Sequence, residues 1–388
     1  MVQITDSSKC SGCHACASIC PKSCIVMEKD SEGFLYPNVN KDACVNCGLC
    51  EKSCPILHRK QPASDCSVTA MAAVNQNIDI LIGSSSGSVF TLLAEEILKQ
   101  DGVVFGAAFS ENFKIVRHIC AKQPGDLEKL RGSKYVQSEI GDAYQQAKML
   151  LDSGCKVLFT GTPCQIGGLY AFLRKPYENL YTQDIVCHGV PSPMVWERYV
   201  AYRECLAAAK TQRMLFRYKK DSWRAYEILF EFENRTSYEK KFGEDAYMKA
   251  FLSNACLRPS CYDCAFKGIV RQADLTLADF WGIEKVLPEM DDDKGTSLVL
   301  VHSEKGHWLI QQIQGRLRCC EAEPESVVQY NSAAVQSVAQ FEKRAAFFQD
   351  IQNQDFECVV QKYTRKTFKQ RMVSHLRHGI RKIKDKLR

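Results

Sequence analysis

Apolar and polar positions switch between two periods from residue 66 onward, and the switching predicts an α/β domain. Residues 68–74 form a short apolar run that reads as a strand. Residues 88–100 then place Val89, Leu92, Leu93 and Ile97 three and four apart, on one face of a helix. A strand is expected at 103–109 and a helix at 140–151. A strand at 156–160 should lead through a Gly/Pro turn into a helix at 165–173, with a further strand at 180–187. Strands and helices in this succession argue for a sheet covered by helices. The later pattern is mixed. Residues 213–219 and 226–233 read as neighbouring strands, 245–254 as a helix, and 274–278 and 297–302 as strands. At the far end, Phe368, Met372, Leu376, Ile380, Ile383 and Leu387 stand three or four apart and predict one apolar stripe on a helix.

The chain has 388 residues, is 45% hydrophobic and 25% charged, and carries a net charge of +6. That length suits two to three domains. The start lacks a basic stretch followed by an apolar one, and no run of 18 apolar residues occurs. No secretory signal and no membrane span are therefore expected, and a cytoplasmic location is. The charge is uneven. Residues 362–388 carry eleven Lys or Arg and one acid, Asp385, so the tail helix is strongly basic and the body mildly acidic. A basic amphipathic helix suits the inner face of an anionic membrane or a partner protein. Nucleic acid is not expected, because few aromatic residues are interleaved with the basic ones.

Twenty-one cysteines change the picture. Two groups read Cys10-Ser-Gly-Cys13-His-Ala-Cys16-Ala-Ser-Ile-Cys20-Pro21 and Cys44-Val-Asn-Cys47-Gly-Leu-Cys50-Glu-Lys-Ser-Cys54-Pro55. Both fit the bacterial ferredoxin spacing for 4Fe-4S clusters. Two-residue gaps curl the chain around three corners of a cubane, while the fourth cysteine serves the other cluster. The spacing thus assigns Cys10, Cys13, Cys16 and Cys54 to one cluster, and Cys44, Cys47, Cys50 and Cys20 to the second. Structural zinc would not require this stepped pattern twice over. Cys24 has no slot in it and reads as a small buried apolar residue. A third group, Cys256-Leu-Arg-Pro-Ser-Cys261-Tyr-Asp-Cys264, has spacing suited to a further cluster, with a fourth ligand to come from Cys187 or Cys164. Two turns suit an anion: Gly83-Ser-Ser-Ser-Gly87-Ser-Val before a helix, and Phe159-Thr160-Gly161-Thr162-Pro163-Cys164-Gln165 at the end of a strand.

Ser84–Phe90, Gly132-Ser-Lys-Tyr-Val-Gln-Ser138, Gly161-Thr-Pro-Cys-Gln165 and Asp184-Ile-Val-Cys-His-Gly-Val-Pro-Ser192 carry a resemblance. So do the third cysteine group, Ala278-Asp-Phe-Trp-Gly282 and Lys294-Gly-Thr-Ser-Leu298. In these the chain resembles the coenzyme F420 hydrogenase/dehydrogenase beta-subunit family, over roughly residues 1–340. The resemblance implies a dicluster ferredoxin domain at 1–58, a mixed α/β domain at 66–340 binding FAD and a 4Fe-4S cluster, and a helical tail at 341–388. By that resemblance Ser85, Ser86 and Gly87 would hold the flavin pyrophosphate, Lys134 would supply positive charge, and Thr162, Gln165, Lys294, Thr296 and Ser297 would line the pocket. His188 and Cys164 are candidates for proton donors, and Phe280 and Trp281 for aromatic lining. The expected function is electron transfer between the clusters and FAD, which would reduce or oxidise an unidentified small molecule or a deazaflavin coenzyme. The donor would be ferredoxin, reduced deazaflavin or another low-potential carrier. The rival expectation is an electron-transfer subunit with the substrate chemistry on a partner.

Overall fold

The structure, a computed structural model, describes residue 2 and residues 6–59 and 67–365. The cysteine-rich start folds around one hairpin, β1 (Ile25–Lys29) and β2 (Leu35–Val39), paired antiparallel with Ile25 opposite Val39. Its turn is held by Asp30, whose carboxylate accepts the amides of Glu32 and Phe34. The two cysteine loops repeat each other in backbone as well as in sequence. Gly12 and Asn46 are left-handed, as are His14 and Gly48 two residues later. Each loop then enters one helical turn, Ala15–Ser18 or Leu49–Lys52. Glycine and asparagine take this conformation at little cost, and the paired kinks curl each loop back on itself.

The larger domain contributes β3 (Thr69–Asn75), β4 (Val103–Phe109), β5 (Val116–Ala121), β6 (Val157–Thr160), β7 (Leu180–Ile185), β8 (Thr211–Tyr218), β9 (Glu227–Phe232), β10 (Ser237–Lys241), β11 (Leu275–Asp279), β12 (Ser297–Val301) and β13 (Leu317–Ala322). Eight of these form one sheet in the order β13-β3-β12-β11-β7-β6-β4-β5, and β10-β9-β8 form a small antiparallel sheet. The central run β11-β7-β6-β4 is parallel, with antiparallel neighbours on both sides. Strand alternation divides its two faces. Val104 and Leu158 pack under helices Val89–Lys99 and Glu304–Ile313, while Phe105, Val157 and Phe159 pack under Ala143–Asp152 and Pro163–Leu173. Strands β3, β4, β6, β7 and β11 all end at one edge, where β12 begins. In an open α/β sheet that edge is where ligands sit.

Among the described residues the strands and helices expected from the pattern are present, within a few residues at their ends. The hairpin β1–β2 and three strands of the larger domain fall outside the expected set. β10 is Ser-Tyr-Glu-Lys-Lys and has no apolar alternation, so only its pairing with β9 makes it a strand. β5 and β13 are edge strands attached to β4 and β3. Near the C-terminus, helices Arg344–Asn353 and Phe356–Thr364 bury Phe347, Phe348, Ile351, Phe356, Val359 and Val360 in the same core as Trp196, Tyr199 and Phe230. Lys362 and Tyr363 both bond Asp350. Residues 366–388, most of the expected basic helix, lie outside the described residues. Among the described residues no helix is long and apolar enough to cross a membrane.

Arg258 joins the two parts. It is fully buried, and its guanidinium donates to the carbonyls of Cys10 and Leu35 and to Gln137 Oε1, while lying 4.3 Å over the ring of Tyr36. Gln137 in turn donates to the carbonyl of Ser11. Gly12 must be glycine here, because a Cβ at that point would stand 2.7 Å from Arg258 Nη1. A second tie is the ion pair of Arg344 with Glu32.

Candidate redox site

The eight ferredoxin-type cysteines separate into two sets of four. Cys20, Cys44, Cys47 and Cys50 line a hollow of about 350 Å³, and Cys10, Cys13, Cys16 and Cys54 line another of about 310 Å³. This is the crossed partition expected from the spacing: each loop gives three thiols to one hollow and its last to the other. Cys47 is exposed, so the first of these hollows lies near the surface. Cys10, Cys13 and Cys54 are buried. Cys24 also lines the outer hollow, with its sulfur 3.3 Å from that of Cys20.

A third set comes together in the larger domain. Cys164 opens helix Pro163–Leu173, Cys187 follows β7, and Cys261 and Cys264 lie on the loop before β11. All four line one hollow of about 650 Å³. Burial pushes the thiols of Cys164, Cys187 and Cys261 up to about 12, with a further push from one another's charge. Three thiols whose surroundings disfavour the thiolate, with Cys264 lining the same hollow, suit a bound cation, which would supply the missing positive charge. Cys256 does not join them. It is fully buried among Trp196, Tyr247 and Phe251, in the core behind the hollow, although its spacing to Cys261 suggested a ligand. Cys164 and Cys187, the two alternatives for a fourth ligand, line this hollow together. His188 also faces this hollow, but its Nε2 bonds Asn254 Oδ1 at 2.8 Å and burial lowers its proton affinity. A neutral, engaged imidazole is a poor acid, and its visible role is to hold the loop.

The third hollow adjoins the ferredoxin module. Ser11 and Ile56 line both it and the Cys10 hollow. Gly168 makes the approach possible, since a Cβ there would stand 2.9 Å from the Cys13 Cβ and 2.8 Å from Tyr144 Oη.

The anion-binding candidates gather at the sheet edge. Ser86 Oγ donates to the Thr296 carbonyl, and the Gly87 amide donates to Ser297 Oγ, both at 2.9 Å. Ser85 Oγ accepts the Ser133 amide at 2.7 Å. Ser88, with φ of 64°, gives no side-chain cap to helix Val89–Lys99, so the first amides of that helix are open to an anion. Lys134 is not a solvated surface lysine. Its ammonium donates to the carbonyls of Leu130, Arg131 and Gly132, and burial pulls its affinity for a proton down to about 7. Lys219, which no pattern singled out, donates to the carbonyls of Leu81, Ser86 and Lys294 and ties the serine loop to the 294–297 turn. The Lys294 side chain itself is exposed, and Thr296 Oγ1 donates to the Met290 carbonyl. Thr162 and Gln165 form a reciprocal cap at the start of helix Pro163–Leu173, and Gln165 Nε2 also donates to Ser138, so their polar atoms serve the chain itself. Phe280 is core, and Trp281 stacks on Trp223 at 5.2 Å with Arg217 over its face.

Comparison with known proteins agrees with this division. Residues 9–56 match the family described as "4Fe-4S dicluster domain", and residues 154–326 match the family of the C terminus of the coenzyme F420 hydrogenase/dehydrogenase beta subunit. Among curated proteins, an uncharacterized protein of Methanocaldococcus jannaschii is 25% identical over 209 residues, 46% of this chain and 56% of the relative. An uncharacterized ferredoxin of the same organism is 38% identical over 52 residues, 13% of this chain and 66% of the relative. The chain therefore spans between half and two thirds of the curated relatives it matches. Among solved structures, a chain from the F420-reducing NiFe hydrogenase complex of Methanosarcina barkeri, studied by xenon derivatization, aligns with a TM-score of 0.48 and 16% identity, over 70% of this chain and 93% of that one. The chain thus carries a region that matches the C terminus of the coenzyme F420 hydrogenase/dehydrogenase beta-subunit family, with a match to a 4Fe-4S dicluster domain in front of it.

Proposed function

We propose that this chain is an iron–sulfur flavoprotein oxidoreductase with three 4Fe-4S clusters. The ligands would be Cys20, Cys44, Cys47 and Cys50; Cys10, Cys13, Cys16 and Cys54; and Cys164, Cys187, Cys261 and Cys264. The observation that carries the reading is the contiguity of the hollows: the Cys10 set shares walls with the Cys164 set, and the Cys20 set lies outermost. Bound there, clusters would supply single-electron transfer, and an FAD at the sheet edge would link it to a two-electron substrate or coenzyme.

The chain's own residues have separable tasks in this reading. The uncapped amides at Val89 and the hydroxyls of Ser85 and Ser86 suit the flavin pyrophosphate. Gly87 lets the backbone approach Ser297, and Lys219 holds the loop in place. Arg217, paired with Asp279 and lying over Trp281, brings positive charge to the same edge. Arg258 fixes the ferredoxin module against the third cysteine set. The reading places the chain in the cytoplasm, with basic residues 362–388 suited by charge to an anionic membrane surface.

Anaerobic purification with iron, sulfide and flavin assays tests it. About twelve irons and one FAD per chain are expected from three cubane clusters. About eight irons without flavin would leave only a ferredoxin-like carrier. One observation favours the rival, an electron-transfer subunit: the outer hollow is bordered by Val45, 57% exposed, an apolar contact for a partner protein. Turnover of a small-molecule acceptor by the isolated chain would exclude that rival.

A further inference from the structure

One hollow in the described structure lies apart from the thiol sets and the serine loop. It holds about 1030 Å³ of space open to solvent, between the end of the ferredoxin module, helix Pro163–Leu173 and the loop before β11. Six cationic or imidazole side chains line it: Lys52, His58, Arg59, Arg174, Lys267 and Arg271. Asp184 is the one carboxylate among its lining residues. That carboxylate is already committed. It is buried, accepts from Thr276, and lies 3.5 Å from Arg271 Nη1. Arg271 is itself 6% exposed, and its Nη1 makes no hydrogen bond among the described residues. Lys52, Arg59 and Arg174 are exposed and form no ion pair with a carboxylate among the described residues. The remaining wall is apolar and partly aromatic, including Ile166, Tyr170 and Phe266. The body of the chain is mildly acidic overall, so a basic hollow runs against the background charge.

Its position matters as much as its charge. Pro163, Phe266, Lys267 and Arg271 line both this hollow and the Cys164 hollow, and Lys267 Nζ donates to the Cys187 carbonyl at 2.6 Å. Pro55 lines it together with the Cys10 hollow. The serine loop at the sheet edge contributes nothing to it.

We infer that this hollow binds a small organic anion bearing phosphate, with its apolar part against Tyr170 and Phe266 and its charge toward Arg59 and Arg174. Guanidinium groups match phosphate oxygens two by two, and an aromatic wall beside them suits the apolar part of an organic phosphate. The site is separate from the proposed flavin site and draws on both the ferredoxin module and the larger domain. That the ligand is the substrate rests on the oxidoreductase reading; that it binds does not.

Inorganic pyrophosphate is the probe, titrated calorimetrically into anaerobically purified full-length protein. One saturable site per chain is expected. Arg59→Gln with Arg174→Asn should weaken binding about tenfold or more, with iron and flavin content unchanged. Both positions are exposed, and asparagine tolerates the left-handed backbone at 174, where φ is 61°. Lys52→Gln, also exposed, should weaken it less. Absence of saturable binding would overturn the inference. So would equal binding by the double variant, which would locate the anion elsewhere, such as on the basic tail. Release of bound FAD by pyrophosphate, followed by absorbance, would overturn it too by identifying the hollow as the flavin's own. The iron count is read separately, so failure of the three-cluster reading leaves the binding result to stand or fall by itself.

Discussion

The ferredoxin module and the larger domain hold their cysteines in opposite ways. In the module, local repeats set the thiols: left-handed residues at Gly12 and Asn46, and again at His14 and Gly48, turn each loop about its hollow. In the larger domain, Cys164, Cys187, Cys261 and Cys264 come from a helix start, a strand end and a loop. The sheet brings them together, because β6 and β7 are parallel neighbours that end side by side. Spacing alone therefore groups the cysteines of the first region as the hollows do, and groups those of the second differently. Cys256 fits a ligand spacing and is packed in an aromatic core; Cys164 fits none and faces the hollow.

The sharpest test of that contrast pairs two serine substitutions. Cys261→Ser should lower iron from about twelve to about eight per chain and abolish transfer beyond the ferredoxin module. Cys256→Ser should leave iron unchanged and cost about 1–3 kcal/mol for a hydroxyl buried without a partner, read by urea unfolding. Iron loss in both would return Cys256 to the ligand set.

The joint between the regions comes next. Arg258→Met would leave the Cys10 and Leu35 carbonyls and Gln137 without a donor in a buried place. A loss of about 3 kcal/mol is expected, with separate unfolding transitions for module and domain by calorimetry. A single unshifted transition would count against the joint.

Acid should act on both regions, through His14 in the module, which burial holds down at about 4, and through two histidines of the larger domain. Burial holds the His118 imidazole down at about 4 and that of His302 at about 3. An unfolded chain binds these protons near pH 6.5. Stability from the neutral rings is therefore complete above pH 6.5 and falls as the pH drops through the window toward 4. His118 alone accounts for roughly 3 kcal/mol across it. His118→Gln should flatten the dependence of the urea midpoint between pH 7 and 4.5; an unchanged slope would assign the acid sensitivity elsewhere.

Smaller effects should follow at the contacts between hollows. Gly168→Val would press on Cys13 and Tyr144 at a cost of about 1–3 kcal/mol, and should alter the electron paramagnetic resonance signal of the cluster bound by Cys10, Cys13, Cys16 and Cys54 more than that of the outer one. Equal changes in both signals would argue against direct contact. Cys24→Ala should be nearly silent, about 1 kcal/mol or less with full iron, unless Cys24 serves as a ligand.

Much of this was legible from sequence, for identifiable reasons. The crossed partition of eight cysteines follows from stepped spacing. β3, β4, β6 and β7 follow from apolar runs that are buried on both faces. What escaped depends on distant partners. β10 is a strand only because β9 pairs with it. Lys219 and Arg258 read as ordinary basic residues until three carbonyls or a buried crevice surround them. Thr162 and Gln165 were read as pocket residues, and the structure engages them as a cap, a role that Thr-Pro-Cys-Gln already matched in residue type and spacing.

The Arg258 joint has one further consequence. A ferredoxin module on a loose tether would have to swing between docking positions, and its internal transfer would slow in a viscous solvent. Here the guanidinium, Gln137 and Gly12 seat the module in one place. Electron passage from the Cys10 set to the Cys164 set should therefore be indifferent to added glycerol, leaving encounter with outside partners as the step that viscosity controls.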